Sequence, residues 1–171
     1  MIELVIGGAR SGKSTFAETL AINSQMDVVY IATAEVLDDE MAERIRHHQK
    51  QRPGHWQLVE VPTDLAEVIS SSSPETLLLI DCLTLWLSNL MLKGLAINER
   101  LEAVEVALQQ RQQNTILVSN EVGMGIVPEN ALGRRFRDEA GRMNQRIAQI
   151  AGRVTLVSAG LPLLLKGPIH G

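Results

Sequence analysis

The segment GGARSGKS at residues 7–14 constrains this chain more than any other stretch. It follows a strand-like run, ELVI, and precedes a helix-like one, STFAETLA. Gly7, Gly12, Lys13 and Ser14 therefore stand in the strand–loop–helix context that a phosphate-binding loop requires. Glycine lets the backbone curl closely around phosphate oxygens, N–H groups at the helix start donate to them, and the Lys13 ammonium adds a mobile charge. Ser14 is placed to hold Mg²⁺. A P-loop also needs an acid near the metal, at the end of another buried strand, and LLLID offers Asp81 there. An Asp at a strand-to-helix turn also suits an N-cap for the following LTLWLSNL. Glu121, closing TILVSNE, is a weaker candidate for orienting metal-bound water or an acceptor hydroxyl.

Short aliphatic or β-branched runs recur along the chain: ELVIGG, DVVYIATA, WQLVEV, TLLLIDC, NTILVSN and RVTLVSAG. The stretches between most of them are long enough for helices, expected over 13–23, 38–51, 63–71, 83–93, 97–113 and 129–151. This alternation predicts an α/β fold, a mainly parallel sheet with helices on both faces. At 171 residues and 45% hydrophobic content, the chain is expected to form one domain over 1–171. SSSP at 71–74 is the nearest thing to a linker and is too short to divide it.

A formal charge of −4 supplies no general basic field, which argues against nucleic acid or an anionic membrane surface as the main partner. The arginines at 134, 135, 137, 142 and 146 are interleaved with Asp138 and Glu139 and read as a solvated or intersubunit face. The longest apolar stretch, LLLIDCLTLWLSNLML, is broken by Asp81, Thr84, Ser88 and Asn89, so no membrane span is expected. The single cysteine, Cys82, excludes an intrachain disulfide framework and reads as a small core residue. With no signal-peptide pattern at the N-terminus, the expected location is the cytoplasm.

Phosphoryl transfer from a P-loop needs little more than this equipment, so the histidine pair in DDEMAERIRHHQ at 38–49 calls for another chemistry. Imidazole can attack phosphorus and carry the group covalently. On a helix, Met41, Ile45 and His48 share one stripe, and Glu40, Glu43, Arg44 and His47 share another. His48 is thus expected to face the core and His47 a charged surface or site, where Glu43 could orient its ring and Arg44 could touch phosphate. Spacing alone favours a plain solvated polar face, since surface histidines are common. Guanine presents adjacent N–H donors that a carboxylate reads naturally, and Glu60, near the end of WQLVEV, is a candidate for that role.

Taken together, GGARSGKS, YIATAEVLDDEMAERIRHH, RPGHW, LLLIDCLT, SNEVGMGIVPEN and FRDEAGRMNQRIA resemble the bifunctional adenosylcobinamide kinase/adenosylcobinamide-phosphate guanylyltransferase family, from residue 1 to about 165. The resemblance implies a RecA-like P-loop NTPase fold, a homotrimer, and two reactions in turn. ATP or GTP would phosphorylate the aminopropanol hydroxyl of the corrinoid adenosylcobinamide. GTP would then give its GMP to a histidine, and GMP would pass to the phosphorylated corrinoid to form adenosylcobinamide-GDP. The implied nucleophile is the first histidine of the pair, His47. The implied nucleotide contacts are Gly7, Gly8, Ala9, Arg10, Ser11, Gly12, Lys13, Ser14 and Thr15, then Ala32, Thr33 and Ala34, then His48, Gln49, Lys50 and Gln51, and finally Glu60 and Asp81. Ser14 and Asp81 would serve Mg²⁺. One departure is that members of the family carry a longer segment where this chain has only MLKGLAIN at 91–98.

Two other functions use the same P-loop. A single-step kinase for another small metabolite would have no covalent role for His47. A nucleotide-dependent switch or assembly ATPase would need a partner-binding surface, and no basic stripe offers one.

Overall fold

A computed structural model describes residues 1–35, 53–111 and 113–168 of the chain. Its strands are β1 (Ile2–Gly7), β2 (Val28–Ala32), β3 (Gln57–Glu60), β4 (Leu77–Asp81), β5 (Thr115–Asn120), β6 (Arg153–Ser158) and β7 (Leu161–Lys166). Its helices are α1 (Lys13–Asn23), α2 (Leu65–Ser71), α3 (Leu83–Leu92), α4 (Ile97–Gln110) and α5 (Ala131–Ile150). The strands form one sheet in the order β3-β2-β4-β5-β1-β6-β7. All neighbours are parallel except β6 and β7.

The central strands read as continuous apolar runs because both of their faces are covered. On one face α2 to α5 pack against Leu4, Ile31, Ile80, Leu117 and Val154. On the other, Ala17 and Ala21 of α1 lie against Val5, Tyr30, Leu79, Val118 and Val157. Because α1 and α5 occupy opposite faces, the order of connections reverses beside β1, and a crevice opens above the carboxyl ends of the strands.

The seventh strand was not among the expected ones. Its sequence, LPLLLK, does not alternate apolar with polar, and Leu161, Leu163 and Leu165 all remain exposed. The connection from β6 is a two-residue turn, Ala159 and Gly160, both in the left-handed region (φ 51° and 77°), as the twist of a tight hairpin requires. The helix expected over 97–113 ends at Gln110. The Arg111 guanidinium there turns back to the carbonyls of Ser72, Ser73 and Thr76, securing the α2–β4 loop to the end of α4. The helix expected over 129–151 spans 131–150, because Asn130 stays extended and its side chain accepts from the Gly133 N–H at 2.6 Å. The helix expected over 38–51 falls outside the described residues.

Candidate functional site

The phosphate loop is built by close approaches that only glycine permits at two points. A Cβ on Gly7 would collide with Ser11 Oγ and the Val157 carbonyl oxygen, and Gly12 adopts φ 93° at the N-cap of α1. The β6–β7 turn braces the loop, the Gly160 N–H donating to the Ser11 carbonyl at 2.8 Å. Gly12 offers α1 no side-chain cap, so the first N–H groups of the helix are left for an anion. Gly8, Ala9, Arg10 and Thr15 are exposed around this opening, and Ser14 is half-buried. Gly7→Ala is expected to destabilise the fold by about 1–3 kcal/mol, the usual range for overpacking. Gly8→Ala, whose Cβ meets nothing within 4 Å, should leave the denaturant midpoint unchanged.

Lys13 is buried, and its ammonium donates to the Gly8 carbonyl at 3.0 Å, folded back over the loop. Burial pushes its pKa below the usual lysine value, while Cys82 and Asp81 pull in the other direction. The lysine and the β4 carboxylate are therefore close enough to sense one another, as a phosphate and metal site needs. Asp81 ends β4, half-buried, and accepts a hydrogen bond from the Tyr30 hydroxyl at 3.0 Å. Cys82 is a buried core thiol, pushed up to about 11 first by burial and then by Asp81, so it stays neutral. Ser14 and Asp81 offer a hydroxyl and a carboxylate, the hard oxygen donors that suit Mg²⁺ when phosphate oxygens complete its shell.

The structure separates the other expected contacts. Ala32 and Ala34 lie half-buried at the end of β2. Thr33 between them is fully buried, its hydroxyl accepting from the Cys82 N–H at 2.9 Å and donating to the Cys82 carbonyl at 2.7 Å. Its own carbonyl accepts from the Asn89 amide at 2.8 Å. Thr33 thus locks the ends of β2 and β4 together, and its polar groups are engaged within the protein. Glu60 is exposed at the end of β3, the edge strand. Four strand spacings separate β3 from β1, roughly 19 Å across the sheet at about 4.8 Å each. His47, with His48, Gln49, Lys50 and Gln51, lies outside the described residues, in the segment of the sequence that joins β2 to β3.

Glu121 is more constrained than its sequence context indicates. Its N–H donates to the Gly7 carbonyl at 3.0 Å, and Oε1 accepts from the Gly123 N–H at 2.5 Å. It thereby fixes the exit from β5 against the phosphate loop. Two residues around it went unnoticed in the sequence. Asn120 is the register partner of Gly7 and donates from Nδ2 to Thr84 Oγ1 at 2.6 Å. Asn144 of α5 accepts from Ser119 Oγ at 2.6 Å and donates to the Asn120 carbonyl at 3.2 Å, tying the end of β5 to that helix. The one available signal was a polar residue closing a buried strand, NTILVSN, and that pattern marks many loops as well.

The Arg-rich helix is largely satisfied internally. Arg146 pairs through two nitrogens with Glu105 of α4 (2.7 and 2.6 Å), and Arg142 pairs with Glu139. Arg134 donates to the Pro128 and Glu129 carbonyls at 3.0 and 2.6 Å. Among the described residues, no helix is long and apolar enough to cross a membrane.

A model of the protein family described as cobinamide kinase / cobinamide phosphate guanyltransferase matches residues 3–165. The chain is 48% identical over 170 residues to a bifunctional adenosylcobalamin biosynthesis protein, CobP, of Pseudomonas aeruginosa, covering 98% of each. It is 43% identical over 182 residues to the bifunctional adenosylcobalamin biosynthesis protein CobU of Escherichia coli, covering 97% of this chain and all of that one. That second alignment is longer than the chain itself, so residues present in the E. coli protein are missing here. In shape, the chain is similar to the flagellar accessory protein FlaH of Methanocaldococcus jannaschii, with a TM-score of 0.56 and 13% identity, covering 97% of this chain and 78% of that one. It is also similar to an ATPase of a bacterial type III secretion system, with a TM-score of 0.54 and 10% identity, covering 95% of this chain and 56% of that one. At such identities these two likenesses concern the fold alone, that of a P-loop NTPase.

Proposed function

The chain belongs to the cobinamide kinase / cobinamide phosphate guanyltransferase family, and from that premise we propose how its residues divide the work of a bifunctional enzyme of adenosylcobalamin biosynthesis. The reading rests on the coincidence of a match along nearly the whole chain with an intact phosphate cradle, in which buried Lys13 heads α1 and Asp81 closes β4. In the first reaction ATP or GTP phosphorylates the aminopropanol hydroxyl of adenosylcobinamide. In the second, GTP transfers GMP to His47, pyrophosphate leaves, and GMP passes on to adenosylcobinamide phosphate to give adenosylcobinamide-GDP.

The α1 amides and the Lys13 ammonium hold the phosphates of either triphosphate, replacing the Gly8 carbonyl as the partner of the lysine. Ser14 and Asp81 would hold Mg²⁺, which when bound neutralises charge on the phosphate oxygens. Tyr30 keeps one oxygen of Asp81 engaged and the carboxylate oriented. His47, with a free imidazole lone pair, serves as nucleophile toward the α-phosphorus. The contacts at Ala32, Thr33 and Ala34 belong to the rim of the crevice at the end of β2, where the small alanine side chains leave room. His48 to Gln51 follow the nucleophile and complete the nucleotide contacts.

If Glu60 reads the base, the nucleotide lies along the carboxyl edge of the sheet from α1 toward β3. Glu60→Gln is then expected to weaken GTP relative to ATP by roughly ten- to a hundred-fold, because one guanine donor is left without its charged acceptor. Competition binding of the two nucleotides measures this, and equal losses for both would assign Glu60 a structural part instead.

The chain functions as a single domain over 1–171 in the cytoplasm and assembles as a homotrimer. A surface suited to assembly exists in β7, an edge strand with Leu161, Leu163 and Leu165 exposed at 72%, 59% and 54%. The deciding assay supplies adenosylcobinamide with triphosphate labelled at either the γ- or the α-phosphate. The γ-label is expected on the corrinoid first, and the α-label from GTP only afterwards. Entry of γ-label without any α-label would favour the single-step kinase.

A further inference from the structure

The apolar segment between β5 and α5 lies outside the phosphate loop. It presents Met124, Ile126 and Val127 to solvent at 81%, 98% and 59% exposure, and Leu132 at the start of α5 adds 56%. Isolated exposed aliphatic side chains are ordinary, but four within nine residues form a patch that calls for a covering partner. The segment is also held in place. Its first turn is closed by Glu121 on the Gly123 N–H, its last by the Asn130 cap, and the Arg134 guanidinium grips the Pro128 and Glu129 carbonyls. The apolar groups are thus propped outward by a braced loop whose root, the Glu121 N–H, is bonded to the phosphate loop at Gly7.

We propose that this segment is the platform on which the corrinoid macrocycle rests while its aminopropanol arm reaches the phosphate loop, a proposal that rests on the corrinoid reading above. A corrin ring bears methyl groups and an apolar face, with carboxamides around its periphery. In this arrangement the ring lies beside the crevice at the strand ends and sends only its arm inward. The V-G-M-G-I-V pattern meets both needs. Met124, Ile126 and Val127 supply apolar contact, and thioether flexibility suits an irregular face. Gly125, where a Cβ would meet nothing within 4 Å, leaves the backbone open to peripheral amides.

The test compares wild type with the double variant Met124→Ser/Ile126→Ser and with a control, Leu92→Ser, whose side chain is 64% exposed on α3. Equilibrium dialysis follows adenosylcobinamide by its visible absorbance, steady-state kinetics give KM for corrinoid and triphosphate separately, and sedimentation gives the mass of the assembly. The double variant is expected to bind the corrinoid roughly ten-fold or more weakly, with the triphosphate KM and the assembly mass unchanged, as for loss of two apolar anchors. The control is expected to match wild type throughout. Equal corrinoid affinity in wild type and double variant overturns the location. A fall in assembly mass overturns it too, by assigning the patch to contact between copies. Absence of corrinoid binding by wild type itself would remove the functional reading on which the location depends.

Discussion

Lys13→Ala is expected to lower both phosphoryl and guanylyl transfer by roughly 10²–10³-fold or more, the effect of removing a preorganised charge from a transition state, without making the free protein less stable. The ammonium is buried, and among the described residues it donates to the Gly8 carbonyl. Burial lowers its pKa, so the charged form disfavours folding. The sign follows from this lowering. The penalty is fully present below the folded pKa, fades as pH rises through it, and has vanished above the unfolded value, where both states are neutral. The thermal midpoint of wild type should therefore gain on that of Lys13→Ala as pH rises from neutral into that window. Mg²⁺ with a triphosphate should stabilise wild type far more than the variant, because the bound anion removes the lysine's penalty. Undiminished kinase turnover in a folded Lys13→Ala protein would show that one cradle does not serve both reactions.

The parts legible in the sequence share a physical cause. A buried parallel strand must be apolar on both faces, so ELVI, VVYI, LLLI and TILV announced themselves as runs, and the residue closing each run fell at the carboxyl edge. Gly7 and Gly12 were legible because no other residue fits a collision at Cβ or a φ of 93° beside a helix start. Asp81 stood out for its place at the end of such a run, and β5 alone separates its strand from β1. By contrast, β7 carries no periodic signal, because its outer leucines face solvent in the single chain. Thr33 read as a nucleotide contact because it ends a strand at the crevice. Its hydroxyl also joins two strands through Cys82, a partner 49 residues away that no local pattern reveals. Asn120 and Asn144 were missed for the same reason: their meaning lies in which strands and helices meet, and spacing along the chain does not carry that.

Wild-type protein incubated with GTP labelled at the α-phosphate, with Mg²⁺, is expected to retain the label after denaturation, to keep it through base and to lose it in acid. That pattern belongs to a phosphorus–nitrogen bond. Attack at the α-phosphorus requires an imidazole nitrogen with a free lone pair, so a histidine acting only as general base would leave no label at all. If 38–51 is helical, as its spacing predicts, His47 shares a stripe with Glu43 and Arg44, and His48 shares one with Met41 and Ile45. His47→Asn should therefore abolish the label and the guanylyl transfer while much of the kinase step survives, because the phosphate loop and Asp81 stay intact. His48→Asn should still take the label, with a lower thermal midpoint if its stripe faces the core as the spacing predicts. Normal labelling of His47→Asn with none on His48→Asn would reverse the assignment of the two faces. Failure of wild type itself to label, with phosphoryl transfer to the corrinoid intact, would leave a P-loop kinase whose histidine pair has no covalent part.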